Sequence, residues 1–245
     1  GKYGNTAICA GIVGFADLTM GAAVEEVLNL QTLAGGSRFK GIRYGAGYDP
    51  SPHINNSHTN PPPGIYNNRN FREGFAKLKQ FDLSFEAWLY HPQIDDVISL
   101  ARDFPAQPIV LNHFGGPIGI GPYKNKRDQI FTEWKQSIQA LSKCPNVFAK
   151  LGGLGMVING YQFESNSTPP SSLELAELWS PYFETTIEAF GTNRCMFESN
   201  FPVDKVTSTY AVYWNCFKRI AQNASTGEKQ QLFHDTAKRF YRLQV

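Results

Sequence analysis

Along this chain, apolar runs repeatedly end in side chains able to hold a proton, an anion or a water molecule. His113 closes the run PIVLNHFGG, and the two glycines after it let a ligand approach the backbone. An imidazole in that place can act as a general acid or base, or as a metal ligand. A lone strand histidine is, however, more often a hydrogen-bonded core residue. Arg43, in GIRYGA, needs a partner, because an unpaired buried guanidinium is costly. The reading favours a substrate carboxylate over an internal acid such as Glu86 or Glu198. Lys150 can pair with the same kind of anion, or reach solvent from a strand end.

His91 is followed by Pro92, which ends the run and holds His91 and Gln93 at a rim next to Tyr90. Substrate binding and plain surface are equally open for these three. Glu198 and Asn200, in RCMFESNFPVD, share parity and so face one side of an extended strand. A carboxylate there is a base or a metal ligand, whereas an amide can only hold a carbonyl or a water by hydrogen bonding. Asp204 is expected near the start of the next helix, where an acid is favoured without any catalytic role. His53 and His58 fall in a long loop and read as solvated side chains.

The elements that must position these residues alternate in type. Strand patterns cover residues 7–15, 39–44, 83–90, 108–114, 146–153 and 194–201, each followed by a loop and then helical periodicity, the signature of successive βα units on a parallel sheet. Ile94, Val97, Ile98 and Ala101 form one buried helical stripe, and Phe131, Trp134, Ile138 and Leu141 another. Tyr210 to Ala221 marks a further helix, and a terminal one starts near Ser225 or Thr226, plausible caps. The segment from about residue 18 to 34 stops at Gly35 and Gly36. Two long connections, 45–70 and 155–171, follow strands on the face where barrel enzymes keep their sites. Six strands are two short of a closed eight-stranded barrel.

One domain over residues 1–245 is the expectation for a chain of this length. The formal charge is +2, and the 23 Lys and Arg are scattered, which gives no electrostatic case for nucleic acid. No run approaches a membrane span, and the four cysteines, Cys9, Cys144, Cys195 and Cys216, are far apart, as buried thiols of a reducing compartment would be. A soluble cytoplasmic protein acting on a small molecule, as a monomer or a homo-oligomer, is the reading these features support.

In order along the chain, GIVGFADLTMGAAVE, FKGIRYGA, LSFEAWLYHPQIDDVISLARDFPAQPIVLNHFGGPIG, VFAKLGGLGM and CMFESNFPVDK resemble the amidohydrolase-related (amidohydrolase 2) TIM-barrel hydrolases, lactonase-like branch. The resemblance runs from about residue 7 and rests on the ordered series of motifs. It implies a (β/α)8 barrel with strands 1 and 2, including a metal-holding His-X-His strand, missing from this chain. It makes His113 the residue matching the family's strand histidine, and it puts Asn200 where relatives usually carry an aspartate. The implied activity is opening of a lactone or similar cyclic ester by water. His113 and Asn200 would be catalytic; Arg43, Lys150, Tyr90, His91 and Gln93 would bind the substrate. A divalent metal such as zinc, with His113 as a ligand, belongs to the complete protein on this resemblance, beside a metal-free mechanism that suits Asn200 better. Non-oxidative decarboxylation and a catalytically degenerate binding barrel are the alternatives.

Overall fold

The computed structural model describes residues 9–244. Six parallel strands, β1 (Ile12–Gly14), β2 (Phe39–Gly45), β3 (Ser84–Trp88), β4 (Ile109–Leu111), β5 (Val147–Leu151) and β6 (Cys195–Phe197), pair in sequence order. Each coincides with one of the six expected runs, β2 extending one residue past its run to Gly45; of the first run, residues 7 and 8 fall outside the described residues. The other five strands are shorter than their runs at the C-terminal ends. Asn112, His113, Glu198 and Asn200 have already left the ladder, which frees them from sheet geometry.

Helices α1 (Val24–Gly35), α2 (Arg69–Lys77), α3 (Ile94–Asp103), α4 (Arg127–Leu141), α5 (Ser172–Phe190) and α6 (Tyr210–Ile220) alternate with the strands. Apolar stripes fix their packing. Ile94, Val97, Ile98 and Ala101 are all buried on α3, and Trp134, Ile138 and Leu141 on α4. Ser225 caps the next helix, α7 (Thr226–Gln230), reciprocally with Glu228. The terminal segment expected as one helix is then interrupted by a wider π turn, Gln231–Asp235, before α8 (Thr236–Tyr241). Successive βα units with parallel neighbours give a barrel-like α/β fold.

Register sorts the strand residues onto two faces. Ile42, Phe85, Ile109, Leu111, Val147, Ala149, Leu151 and Cys195 join the large core shared with the helices. The alternate residues face the other way: Arg43 pairs with Glu86, Glu86 with Val110, Val110 with Phe148, and Lys150 with Met196. This second face is apolar toward the strand starts, where Phe240 of α8 packs on Val110, Met196 and Phe148. Beyond α8, Arg242 donates to the carbonyl of Lys40 at 3.3 Å, so the C-terminal segment crosses the strand starts. Toward the strand ends the same face becomes charged.

The connection after β2 is ordered by local bonds. The Gln93 amide donates to the Ala46 carbonyl at 2.8 Å and accepts from the Tyr48 amide at 2.9 Å, and the Tyr90 hydroxyl donates to the Asn55 carbonyl at 2.5 Å. No helix among the described residues is long and apolar enough to cross a membrane.

Candidate active site

His113 is the buried centre of the strand-end cluster. Its backbone turns left-handed just past β4, at φ 52°, and Phe114 follows at φ 56°. Two consecutive non-glycine residues in that region are a local strain that the surrounding packing must hold. The turn aims the imidazole across the sheet instead of along it. Gly153, past the end of β5, makes room: a Cβ there would lie 2.7 Å from Cβ, Cγ and Nδ1 of His113. Trp88 supports the ring edge-on, with centroids 4.9 Å apart.

Both ring nitrogens are engaged. Nη2 of Arg43 lies 3.2 Å from Nε2, and Oε1 of Glu198 lies 2.5 Å from Nδ1, in a close but oblique approach. A guanidinium only donates, so Nε2 carries the lone pair and Nδ1 the hydrogen. Arg43 thereby sets the tautomer, and the carboxylate against Nδ1 stands ready to stabilise a positive ring. Among the described residues no carboxylate comes within 4.0 Å of Arg43. Its remaining N–H groups line a cavity of about 420 Å³ together with Gly11, Val13, Glu86, Lys150, Tyr241 and Leu243.

Lys150 is a cross-link between acids. Its Nζ lies 2.9 Å from Glu86 and 3.5 Å from Glu198, and only 13% of its side chain is exposed. Asn112 donates to Glu86 at 3.2 Å, and Tyr241 donates its hydroxyl to the same carboxylate. Burial alone would raise both acids. Lys150 with Tyr241 outweighs it at Glu86 and lowers that carboxyl, while His113, Lys150 and Arg43 bring Glu198 down to about 2. For Lys150, burial works against the charge, but Tyr241, Glu86 and Glu198 more than compensate and the ammonium is held. The expectation that Lys150 would be free for a substrate anion, or reach solvent, is therefore replaced by an internal role: its charge is already matched by two carboxylates.

Asn200 stands apart from Arg43 and His113. It adopts φ 50°, outside β6, so the alternation that put it on the face of Glu198 does not apply. Its Nδ2 donates at 2.6 Å to Asp204, whose other oxygen accepts from the Gly155 amide at 3.3 Å. Asp204 lies, as expected, at the start of the next helix, a short 3-10 turn Val203–Val206 before α6, and is fully buried there. Burial pushes its carboxyl up to about 7, against the opposing bonds from Asn200 and Gly155.

Tyr90, His91 and Gln93 are likewise placed as anchors. Gln93 uses both ends of its amide on the β2–α2 connection, and His91 is buried, accepting from the Ile118 amide at 3.2 Å through Nδ1. Burial lowers the His91 imidazole to about 4, so it stays neutral. None of the three lines the cavity at Arg43. His53 is exposed in the long connection, as is His58.

Sequence reasoning overlooked Trp88, Gly153 and Tyr241. Trp88 shares parity with Glu86, a usable signal; nothing local marks the hydroxyl of Tyr241, 155 residues from its partner. The donor set does not suit a divalent cation. Among the described residues no group of three or more His, Cys, Asp or Glu is placed to hold one. The sole histidine of the cluster faces a guanidinium on one nitrogen, and its carboxylate partner is already shared with an ammonium.

Comparison with known proteins agrees with this architecture. Residues 6–243 match the family profile described as Amidohydrolase. A protein of Sinorhizobium fredii, y4mH, itself uncharacterized, is 35% identical over 237 residues, 95% of this chain and 70% of its own length. An L-fucono-1,5-lactonase of Burkholderia multivorans is 24% identical, over 96% of this chain and 72% of its own. A crystal structure of an amidohydrolase from Burkholderia multivorans with bound zinc superposes with a TM-score of 0.76 at 23% identity, covering 96% of this chain and 74% of that one. With its six parallel βα units and a family match across nearly its whole length, the chain belongs to the amidohydrolase family.

Proposed function

We propose that this amidohydrolase-family hydrolase opens a lactone or similar small cyclic ester by attack of water. The observation that carries the reading is the line Arg43, His113, Glu198, in which a guanidinium caps the basic nitrogen of an imidazole whose other nitrogen meets a carboxylate. Without substrate, Arg43 occupies Nε2. A carbonyl or carboxylate entering the cavity competes for the guanidinium and releases that lone pair. His113 then takes a proton from water as the water oxygen bonds to the ester carbon. Glu198 stabilises the imidazolium, and Arg43 faces the oxyanion that develops. Collapse breaks the ring C–O bond, and the departing alkoxide recovers the proton from His113, giving a hydroxy acid and a neutral imidazole.

The lactonase among the relatives supports this choice of substrate class. Hydrolysis of a panel of sugar and dicarboxylate lactones, followed by acid release and by carbon dioxide evolution, tests it. Acid without carbon dioxide is expected; carbon dioxide release would assign decarboxylation, and tight ligand binding without turnover would assign a binding barrel.

A further inference from the structure

A second, smaller cavity lies between the loops that follow β4 and β5. It has a volume of about 170 Å³, and among its lining residues are Lys124, Asn125, Arg127, Gly160, Gln162 and Tyr182, with no carboxylate. None of its lining residues is shared with the cavity at Arg43. Arg127 is fixed there from two sides: its guanidinium carbon lies 3.9 Å above the Tyr161 ring, and Nη2 donates to the Asn159 carbonyl at 3.0 Å. Neither Lys124 nor Arg127 has a carboxylate within 4.0 Å among the described residues. A guanidinium has five donors, so the contacts with Asn159 and with Tyr182 leave N–H groups unspent.

The walls are built for close approach. Gly119 and Gly160 meet so tightly that a Cβ on either would lie 2.1–2.2 Å from the other loop's backbone, and the Gly119 amide donates to the Ile158 carbonyl at 2.8 Å. Two cations and the side-chain amides of Asn125 and Gln162, around a small space whose lining holds no acid, form an arrangement suited to a compact anion. The volume is below the roughly 300–1,000 Å³ of ordinary small-molecule pockets, which restricts an occupant to one charged group. We propose that this cavity binds a small oxyanion, a carboxylate or phosphate group, at a site separate from the hollow at Arg43. An occupant would also brace the loops beside His113, since Asn159 donates its side-chain amide to the Gly153 carbonyl at 2.8 Å.

Amide chemical shifts of the intact chain, titrated separately with inorganic phosphate and with acetate against sodium chloride of matched ionic strength, test the assignment. Saturable shifts at Gly119, Asn125, Arg127, Gly160 and Gln162, absent with chloride, are expected, and the anion giving the tighter curve identifies the group. Lys124→Ala, at an exposed position that folding does not need, should weaken binding by about tenfold, and Arg127→Met by more. Shifts that fail to saturate, that chloride reproduces, or that survive Lys124→Ala unchanged would overturn the proposal. The readout does not depend on turnover, so it stands or falls apart from the hydrolytic assignment.

Discussion

Replacing Asp204 with asparagine isolates the cost of a buried acid that has no cation beside it. The side chain is fully buried, its bonding partners are an amide and a backbone N–H, and burial raises its carboxyl from 3.8 to about 7. An acid raised in the folded state binds its proton more tightly there than in the unfolded chain. Its contribution is therefore fully present below about pH 4 and is lost as pH rises toward 7. The complete loss is on the order of 4 kcal/mol, of which about 2–3 kcal/mol falls between pH 5 and 8. Asparagine does not titrate, and its one carbonyl oxygen can accept from Asn200 or from Gly155 but not from both, a loss that does not vary with pH. Urea unfolding of both proteins across that range should show Asp204→Asn gaining on the parent by about 2–3 kcal/mol as pH rises. A gap that stays within about 0.5 kcal/mol over the whole range would show that Asp204 ionises freely, and the burial argument would be wrong.

The remaining predictions concern the cluster at the strand ends. Lys150→Met strands Glu86 and Glu198 without their shared cation and should cost about 3–5 kcal/mol in urea unfolding near pH 7, a loss that shrinks in acid as the two carboxyls protonate. Tyr241→Phe removes one bond to a buried carboxylate and should cost about 1.5–3 kcal/mol while leaving the order of substrate preference intact. His113→Gln should lower kcat by about 10² to 10⁴, as loss of a general base does. Chelator treatment should leave lactone turnover unaltered, because Arg43 and Lys150 hold the places from which a divalent cation would be approached; loss of turnover, restored by zinc, would refute that account.

Much of the architecture was legible because it rests on periodicity. Apolar runs of strand length followed by stripes at helical spacing depend only on near neighbours in the chain, so six βα units and the α3 and α4 faces could be read directly. Helix α2 overlaps the stretch 45–70, which reads as loop, only at Arg69 and Asn70; it is started by Asn68, which accepts from the Phe71 amide at 3.1 Å, and is held by Phe71 and Phe75 in the core. The site was legible in residue type but not in pairing. That His113 and Arg43 sit at the ends of strand runs of one sheet is visible, whereas their 3.2 Å approach across the intervening β3 depends on a left-handed backbone at His113 and on the space left by Gly153. Parity failed at Asn200 because alternation holds only inside a ladder, and β6 stops at Phe197.

The division of the inner face explains why charge can be kept inside this fold at all. Toward the strand starts, Val110, Phe148 and Met196 are covered by Phe240, an apolar floor that excludes water beneath the cluster. Above it, Glu86, Lys150 and Glu198 alternate in sign, each charge meeting an opposite one within 3.5 Å, and Arg43 completes the series with no carboxylate of its own. A guanidinium left over in so balanced a set is the group whose pairing a ligand can change. It is also the group that caps Nε2 of His113. In the proposed reaction, anion or carbonyl binding at Arg43 and release of the basic nitrogen are one event, so that occupancy of the cavity would be coupled to proton abstraction.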